Sequence, residues 1–238
     1  MLSLDVIQQS AKERVSPLRG LRDAGDDVLL VNEVFTSLQG EGTRTGRLCV
    51  FVRLTTCHLR CKYCDTEHAF FDGSERTIAD VVDEVAQQNV PFVLLTGGEP
   101  LLQPAAIPLL QKLVDDGFEV ALETSGAVST EHVPPEVSVI LDVKTPDSGE
   151  HHRMVWSNLG RLRPHDEVKF VLCSEDDYVF AKDLIAKERL HHTCPVLFSP
   201  ETTSLSPTTL ADWMVRDRLP VRFQFQLHRM LWGDVTGV

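Results

Sequence analysis

The sequence has few basic side chains and no long apolar run. Among its 238 residues, 23 are Lys or Arg and 35 are Asp or Glu, which gives a formal net charge of −12. Surfaces that bind nucleic acid concentrate Lys and Arg, so this balance argues against nucleic acid as a direct partner. No segment approaches the roughly 18 consecutive apolar residues of a membrane-spanning helix. A membrane is therefore not an expected partner either.

The opening segment, MLSLDVIQQSAKERV, also lacks the basic region and apolar run of an export signal, which predicts a cytoplasmic location. Hydrophobic residues make up 42% of the chain and charged residues 24%, the balance of a globular protein. The length fits one large domain of the barrel or doubly wound kind, or two small ones.

Six cysteines are present, and their positions are more informative than their number. A chain of this length without an export signal is not expected to use them as a disulfide framework. Cys49, Cys173 and Cys194 lie singly within or beside apolar runs, where small buried side chains are expected. The other three fall within eight residues, and this clustering requires an explanation.

A regular alternation of strands and helices follows a polar N-terminal extension, residues 1–27. Apolar, β-branched runs predict strands at 28–35, 48–54, 92–96, 118–123, 137–143, 168–172, 196–199 and 221–227. Helical spacing of apolar residues predicts helices at 77–88, 105–116, 174–189 and 207–218, with Thr77 and Ser174 as N-caps. We therefore predict an α/β fold for residues 28–238, a single domain with a largely parallel sheet. The strand count indicates a partial (β/α) barrel whose site lies at the C-terminal strand ends.

The three clustered cysteines form a Cys-x3-Cys-x2-Cys pattern directly after a predicted strand. The run is Cys57-His58-Leu59-Arg60-Cys61-Lys62-Tyr63-Cys64. Thiolates this close in sequence converge on one soft metal centre only from a loop, which the strand end supplies. A cubane iron–sulfur cluster has four irons, so three cysteines leave one iron open to another ligand. Structural zinc, the alternative, needs four protein ligands, and His58, His68 or a distant cysteine would have to be the fourth.

This spacing, with the aromatic Tyr63 before the last cysteine, resembles the signature of the radical S-adenosylmethionine (SAM) enzymes. A second mark of that superfamily is Thr96-Gly97-Gly98-Glu99-Pro100, at the end of a predicted strand. Paired glycines let the backbone approach a ligand closely, and the Glu99 carboxylate can accept from an ammonium group. The resemblance implies a [4Fe-4S] cluster, bound by Cys57, Cys61 and Cys64, whose electron cleaves SAM to a 5′-deoxyadenosyl radical.

Further segments narrow the resemblance to one family. They are residues 32–42, 51–54, 64–66, 122–126, 141–146 and 226–229. Together they resemble 7-carboxy-7-deazaguanine synthase, from about residue 29 to the C-terminal end. The resemblance implies a radical SAM lyase that converts 6-carboxy-5,6,7,8-tetrahydropterin to 7-carboxy-7-deazaguanine with loss of ammonia, in queuosine and 7-deazapurine biosynthesis. It also implies Mg²⁺, a homodimer, and an external electron donor such as flavodoxin or ferredoxin.

The same resemblance assigns residues to each ligand. Substrate binding is expected from Leu38, Gln39, Gly40, Glu41, Arg53, Thr96 and His228, the last at the end of the final strand. SAM binding is expected from Tyr63, Cys64, Asp65, Gly98, Glu99, Glu123, Ser125, Asp142, Val143 and Lys144. Thr66 is the expected protein ligand of Mg²⁺. No residue is assigned as an acid or base, because the cofactor radical supplies the chemistry.

Two other functions share part of this pattern. A radical SAM activase that places a glycyl radical on a partner protein has the same cysteine spacing and a similar size. A non-catalytic metal or redox-sensing module is the alternative of a different class. Arg229 also departs from the family, since relatives often have Lys at that position and the two residues are not equivalent.

A local concentration of positive charge surrounds the cysteine run. Residues 44–62 contain no acid, and their basic side chains are Arg44, Arg47, Arg53, Arg60 and Lys62. Both implied ligands carry carboxylates, so the segment predicts a basic patch that attracts them.

Overall fold

The computed structural model describes residues 27–233 together with Val235 and Gly237. The predicted N-terminal extension, residues 1–27, lies outside them except for Asp27. The strands are β1 Val28–Leu38, β2 Leu48–Leu54, β3 Ser74–Thr77, β4 Phe92–Gly97, β5 Glu119–Thr124, β6 Ser138–Asp142, β7 Glu167–Leu172, β8 Val196–Pro200 and β9 Arg222–Phe223. The α-helices are α1 Ile78–Gln87, α2 Ala106–Asp115, α3 Glu175–Glu188, α4 Pro207–Asp217 and α5 Leu227–Trp232. Short 3-10 helices lie at Glu67–Phe70, Pro100–Leu102, Pro146–Ser148, His151–Arg153, Trp156–Arg161 and Leu190–His192.

The described strands form one sheet in the order β3-β1-β2-β4-β5-β6-β7-β8-β9. The β1 strand is antiparallel to both β2 and β3, and the remaining neighbours are parallel. Helices α1, α2, α3 and α4 each lie in the chain between two parallel strands of this sheet, as expected of right-handed crossovers. The predicted α/β class and the partial barrel with a largely parallel sheet are therefore confirmed.

Two of the α-helices start at side-chain caps that the sequence provides. The Thr77 hydroxyl accepts from the Asp80 N–H, and the Asp80 carboxylate accepts from the Thr77 N–H, so α1 begins with a capping box. The Ser174 hydroxyl accepts from the Asp177 N–H at the start of α3. Both predicted N-caps are confirmed.

Alternation along the strands separates a helix-facing side of the sheet from an inner side. Val50 and Val52 of β2 belong to the large apolar cluster that packs under α1 and α2. Their neighbours on the inner side, Cys49 and Phe51, join a smaller apolar cluster near one end of the barrel. Successive side chains of a strand point to opposite faces, so the next inner position of β2 is Arg53. Polar inner positions therefore begin where the strands approach their C-terminal ends.

The last predicted strand has the wrong extent, and one strand was not predicted. The strand expected at 221–227 is only Arg222–Phe223, and α5 begins at Leu227. His228 thus lies in the first turn of a short helix, not at a strand end. The β3 strand was not predicted, because Ser74–Thr77 is polar and its strand conformation comes from pairing with β1.

Candidate active site

One cavity of about 290 Å³ opens at the C-terminal ends of the inner strands. Strand register brings its polar side chains to one level, since Arg53 pairs with Thr96 and Asp142 pairs with Lys169. The cavity is lined by the predicted residues Leu38, Gln39, Gly40, Glu41, Arg53, Cys57, Cys61, Tyr63, Cys64, Asp65, Thr66, Thr96, Gly98, Glu123, Ser125, Asp142, Lys144 and His228. The structure therefore brings together residues from both predicted ligand sites and from the cysteine run.

The three clustered cysteines lie in the loop after β2, as predicted, and all are free thiols. The Leu59 N–H donates to the Cys57 Sγ at 3.4 Å. Burial raises the pKa of Cys57 to about 12 and raises the pKa of Cys61 and Cys64 as well, so binding a metal would displace their protons. Within the described residues, no three His, Cys, Asp or Glu side chains surround a single ion position. In a cubane each thiolate binds a different iron, so this donor set fits a cluster with one iron open.

Gly98 holds the Gly-Gly-Glu-Pro segment against the cysteine loop. A Cβ atom on Gly98 would lie 2.2 Å from the carbonyl oxygen of Thr56, the residue before Cys57. The Glu99 N–H donates to that same carbonyl at 2.8 Å. Glycine is required here by close backbone approach, which explains why this motif accompanies the cysteine run.

Glu99 and Val143 are the two predicted SAM contacts that do not line the cavity. The Glu99 carboxylate is fully buried and accepts from the Thr124 hydroxyl, from the N–H and hydroxyl of Ser125, and from the Leu101 N–H. Its oxygens therefore already have protein donors, and the expected contact with the SAM ammonium stays a prediction. Val143 packs in the apolar cluster under the sheet.

The wall predicted to bind SAM contains buried polar atoms that have no partner within the described part of the chain. Lys144 Nζ lies 3.0 Å from Asp142 Oδ2 and 5.6 Å from the centre of the Tyr63 ring. Burial opposes the charge of Lys144, but Asp142, Tyr63 and Cys61 together outweigh it and hold the pKa of this lysine well above its ordinary value. Asp142 Oδ1 and the Tyr63 hydroxyl have no hydrogen-bond partner among the described residues. Buried polar groups are normally paired, so both atoms fit a bound ligand with polar groups of its own.

The wall predicted to bind the substrate is built by the loop between β1 and β2. Gln39, Gly40 and Glu41 line the cavity there, and the Gly40 carbonyl accepts from the Leu227 N–H at 2.9 Å. The Glu41 carboxylate accepts from Gln224 at 3.3 Å and from Gln226 at 3.0 Å. The C-terminal segment therefore closes one wall of the cavity through this loop.

Arg53, predicted to bind the substrate carboxylate, already has one acidic partner. Its Nε donates to Glu33 Oε1 at 2.7 Å, and His68 Nε2 lies 3.8 Å from the same oxygen. Glu33 also lines the cavity. A guanidinium has five N–H donors, so an ion pair through Nε leaves its terminal nitrogens for a second carboxylate.

Thr66 and Asp65 present oxygen atoms beside the last cysteine. The Thr66 hydroxyl donates to Asp65 Oδ1 at 2.8 Å, and Gln226 Nε2 donates to Asp65 Oδ2 at 3.1 Å. Burial opposes ionisation of Asp65, but these hydrogen bonds and the charge of Lys169 hold its pKa below the ordinary value. Hard oxygen donors of this kind fit Mg²⁺.

The predicted basic patch is not present at the cavity. Arg44 pairs with Glu119 and Glu167, and Arg47 pairs with Glu119. The Arg60 guanidinium donates to the carbonyls of residues 57 and 59, and Lys62 does not line the cavity. Of the five basic residues in segment 44–62, Arg53 is the one that lines it. The acids that pair with Arg44 and Arg47 lie far away in sequence, so the local charge count was misleading.

Lys169 is the main cavity residue that the sequence analysis missed. It lies in the middle of β7 and is only 5% exposed. A charge within an apolar strand is rarely left unpaired, and this signal, which Arg53 in β2 also shows, could have identified Lys169. Pro200 and Glu201, at the end of β8, also line the cavity without having been predicted.

Comparisons with known proteins identify the family. The sequence profile of the Radical SAM superfamily matches residues 52–143. The 7-carboxy-7-deazaguanine synthase of Chlorobaculum tepidum is 42% identical, over 88% of this chain and 97% of the relative. That of Koribacter versatilis is 39% identical, over 87% and 98%. The chain belongs to the 7-carboxy-7-deazaguanine synthase family. Its synthase fold also matches the crystal structure of QueE from Escherichia coli, with a TM-score of 0.70 and 23% identity over 84% of this chain and 95% of that one.

A more distant structural match is Streptococcus suis SuiB bound to the precursor peptide SuiA. It has a TM-score of 0.52 and 12% identity, over 71% of this chain and 46% of that chain. At these identities both structural matches show the fold alone. Among the described residues, no helix has the length and apolar character to cross a membrane.

Proposed function

We propose that this chain is a radical SAM lyase that converts 6-carboxy-5,6,7,8-tetrahydropterin to 7-carboxy-7-deazaguanine with loss of ammonia. The observation that carries the proposal is the shared cavity. In a chain of this family, the three-cysteine loop, Gly98 and the acid-rich inner strands meet the Gln39–Glu41 wall there. When bound, the cluster and SAM would supply the radical chemistry for removal of the hydrogen atom at C6 of the pterin. The product belongs to queuosine and 7-deazapurine biosynthesis.

The residues of the chain position the substrate in this proposal. The Gln39 amide offers a donor and an acceptor to the guanine-like edge of the pterin, and Glu41 accepts from its amino-imide side. Arg53 binds the substrate carboxylate with the guanidinium nitrogens that Glu33 does not occupy. His228 closes the cavity over the substrate from α5. Thr96 is the register partner of Arg53 on the neighbouring strand. This position supports the proposal that Thr96 also contacts the substrate.

The proposed contacts to the cluster and to SAM lie on the wall opposite Gln39–Glu41. Cys57, Cys61 and Cys64 bind the cluster, and Asp142 and Lys144 bind SAM through an unpaired carboxylate oxygen and an ammonium with donors to spare. Tyr63, Asp65, Gly98, Glu123 and Ser125 complete the SAM site in this proposal. Glu99 instead holds the end of β5 in place.

Mg²⁺, oligomeric state, reductant and location form a second part of the proposal. Thr66 would hold Mg²⁺, which would supply positive charge for the substrate carboxylate. The active form is a homodimer, and residues 28–238 of each chain form its single catalytic domain. Flavodoxin or ferredoxin reduces the cluster in the cytoplasm. Omitting Mg²⁺ should lower turnover while leaving the iron content unchanged.

Anaerobic turnover tests the main proposal. Reconstituted protein is incubated with SAM, a reductant and 6-carboxy-5,6,7,8-tetrahydropterin, and the deazaguanine is measured by mass spectrometry. Product formation supports the proposal, and its absence with an intact cluster overturns it. A glycyl-radical activase would cleave SAM independently of the pterin, and a colourless protein without iron would indicate a different metal module.

A further inference from the structure

Lys169 joins side chains from three separate elements. Its Nζ lies 2.8 Å from Glu41 Oε2, 2.6 Å from Glu123 Oε1 and 3.4 Å from Asp142 Oδ2. These acids come from the loop after β1, from β5 and from the end of β6. Burial opposes the charge of Lys169, but its acidic neighbours, Glu123 first, hold its pKa well above the ordinary value. Lys169 is therefore a buried, charged centre of the cavity wall.

Three protein carboxylates lie within 3.4 Å of the Lys169 ammonium, and its hydrogen bond to Glu123 Oε1 is 2.6 Å long. A lysine ammonium has three N–H donors, and Lys169 has three carboxylate acceptors. Lys144 differs, because Asp142 is its single carboxylate partner among the described residues. Lys144 thus keeps donors for a ligand, whereas Lys169 acts on other protein groups.

The acids held by Lys169 belong to both predicted ligand sites. Glu41 lies on the wall predicted to bind the substrate, and Glu123 and Asp142 on the wall predicted to bind SAM. Glu41 is also held by Gln224 and Gln226. Without the ammonium, the acids would repel one another at short range in a largely buried place, where such repulsion is strong.

We propose that Lys169 is a positioning residue that holds Glu41, Glu123 and Asp142 in one arrangement and so couples the substrate site to the SAM site. The inference rests on the proposed function for the identity of the two ligands. It assigns Lys169 no direct contact with either ligand. Its loss should weaken the binding of both ligands together, not the chemical step alone.

The experiment compares Lys169→Met and Lys169→Arg with the wild-type holoenzyme. Lys182→Met is the matched control, because Lys182 pairs with Asp217 on the helices, away from the cavity. After reconstitution, iron content and thermal midpoint check folding. SAM affinity is measured without pterin by equilibrium dialysis, and kcat and KM for the pterin are then determined.

For Lys169→Met we expect SAM affinity to fall and KM to rise, each by about tenfold, the effect of losing a charge-assisted hydrogen bond. Lys169→Arg keeps the charge, so its SAM affinity and its KM for the pterin should return most of the way to the wild-type values. Lys182→Met should match the wild type. A fall in kcat with unchanged SAM affinity and KM overturns the inference, as does an effect on one ligand alone.

A second variant covers the case in which Lys169→Met does not fold. Glu41→Gln changes the substrate wall but frees part of the Lys169 ammonium, so SAM affinity without pterin should change by about threefold or more. Unchanged SAM affinity overturns the coupling. Because this measurement needs no pterin turnover, it remains decisive even if the proposed lyase activity is not found.

Discussion

The Nδ1 atom of His228 lies 2.2 Å from the position that a Cβ atom on Gly40 would occupy. The helix that carries His228 is attached to the same loop, because the Leu227 N–H donates to the Gly40 carbonyl. The imidazole therefore rests directly on the backbone of the wall predicted to bind the substrate. Any side chain at residue 40 would displace it.

Gly40→Ala should move His228 away from the cavity. Because small misplacements of positioning groups are costly, we expect KM for the pterin to rise by about tenfold or more. SAM affinity should change little. Steady-state kinetics check this, with Gly40→Ala placed in a His228→Ala background as control. In that background Gly40→Ala should raise KM for the pterin little further. An equal rise in KM in both backgrounds would contradict the contact.

Glu33→Gln should weaken the hold on Arg53. The Glu33–Arg53 ion pair of 2.7 Å orients the guanidinium, and hydrogen bonds to charged groups contribute about 1.5–3 kcal/mol. We expect KM for the pterin to rise by about tenfold with SAM affinity unchanged. Glu84→Gln, which alters the pair with Arg76 on α1 and β3, is the matched control. A variant with wild-type KM would show that Glu33 does not position Arg53.

Alanine at Cys57, Cys61 or Cys64 should abolish the cluster. Each is expected to bind a different iron, so no remaining cysteine of the loop replaces it. Iron and sulfide analysis, together with the absorbance at about 400 nm, measures the loss of the cluster. Cys173→Ala and Cys49→Ala should keep a full cluster, since neither side chain lines the cavity. Full iron content in any of the three loop variants would disprove the ligand set.

Glu119→Gln should reveal a pH-dependent contribution to stability. Hydrogen bonds from Arg47 and Arg44 lower the pKa of Glu119 to about 2, below the 4.5 of a free side chain. A lowered pKa stabilises the fold above the unfolded-state value, and this stabilisation disappears as the pH falls from about 4.5 towards 2.

Urea unfolding at several pH values measures this effect. The wild type should be more stable than Glu119→Gln at pH 7, and the difference should shrink through that acidic range. It should also shrink in high salt, because Glu119 is 41% exposed on its side chain. Glu131→Gln, at the more exposed pair with Arg161, is the control. A difference independent of pH would exclude the ionic explanation.

The amino-acid sequence by itself determined the features that depend on neighbours in the chain. The spacing of Cys57, Cys61 and Cys64, the Gly97–Gly98 pair, the N-caps and the alternation of apolar residues are all local patterns. They predicted the cysteine loop, the alternation of strands and helices along the chain, and the partial barrel. Helices, strands and tight loops depend on residues that are close in sequence, so these features can be predicted without the tertiary structure.

The tertiary structure decided which charges meet. Lys169 contacts Glu41, Arg44 contacts Glu167, and Glu99 is enclosed by the end of β5, although each pair is distant in sequence. These contacts depend on strand register and order, which place one residue of each strand at the same level of the sheet. Burial then makes pairing obligatory, because an unpaired charge inside the protein is too costly. For that reason the net charge of segment 44–62 did not show which charged side chains line the cavity. The strand register of the folded chain decides this.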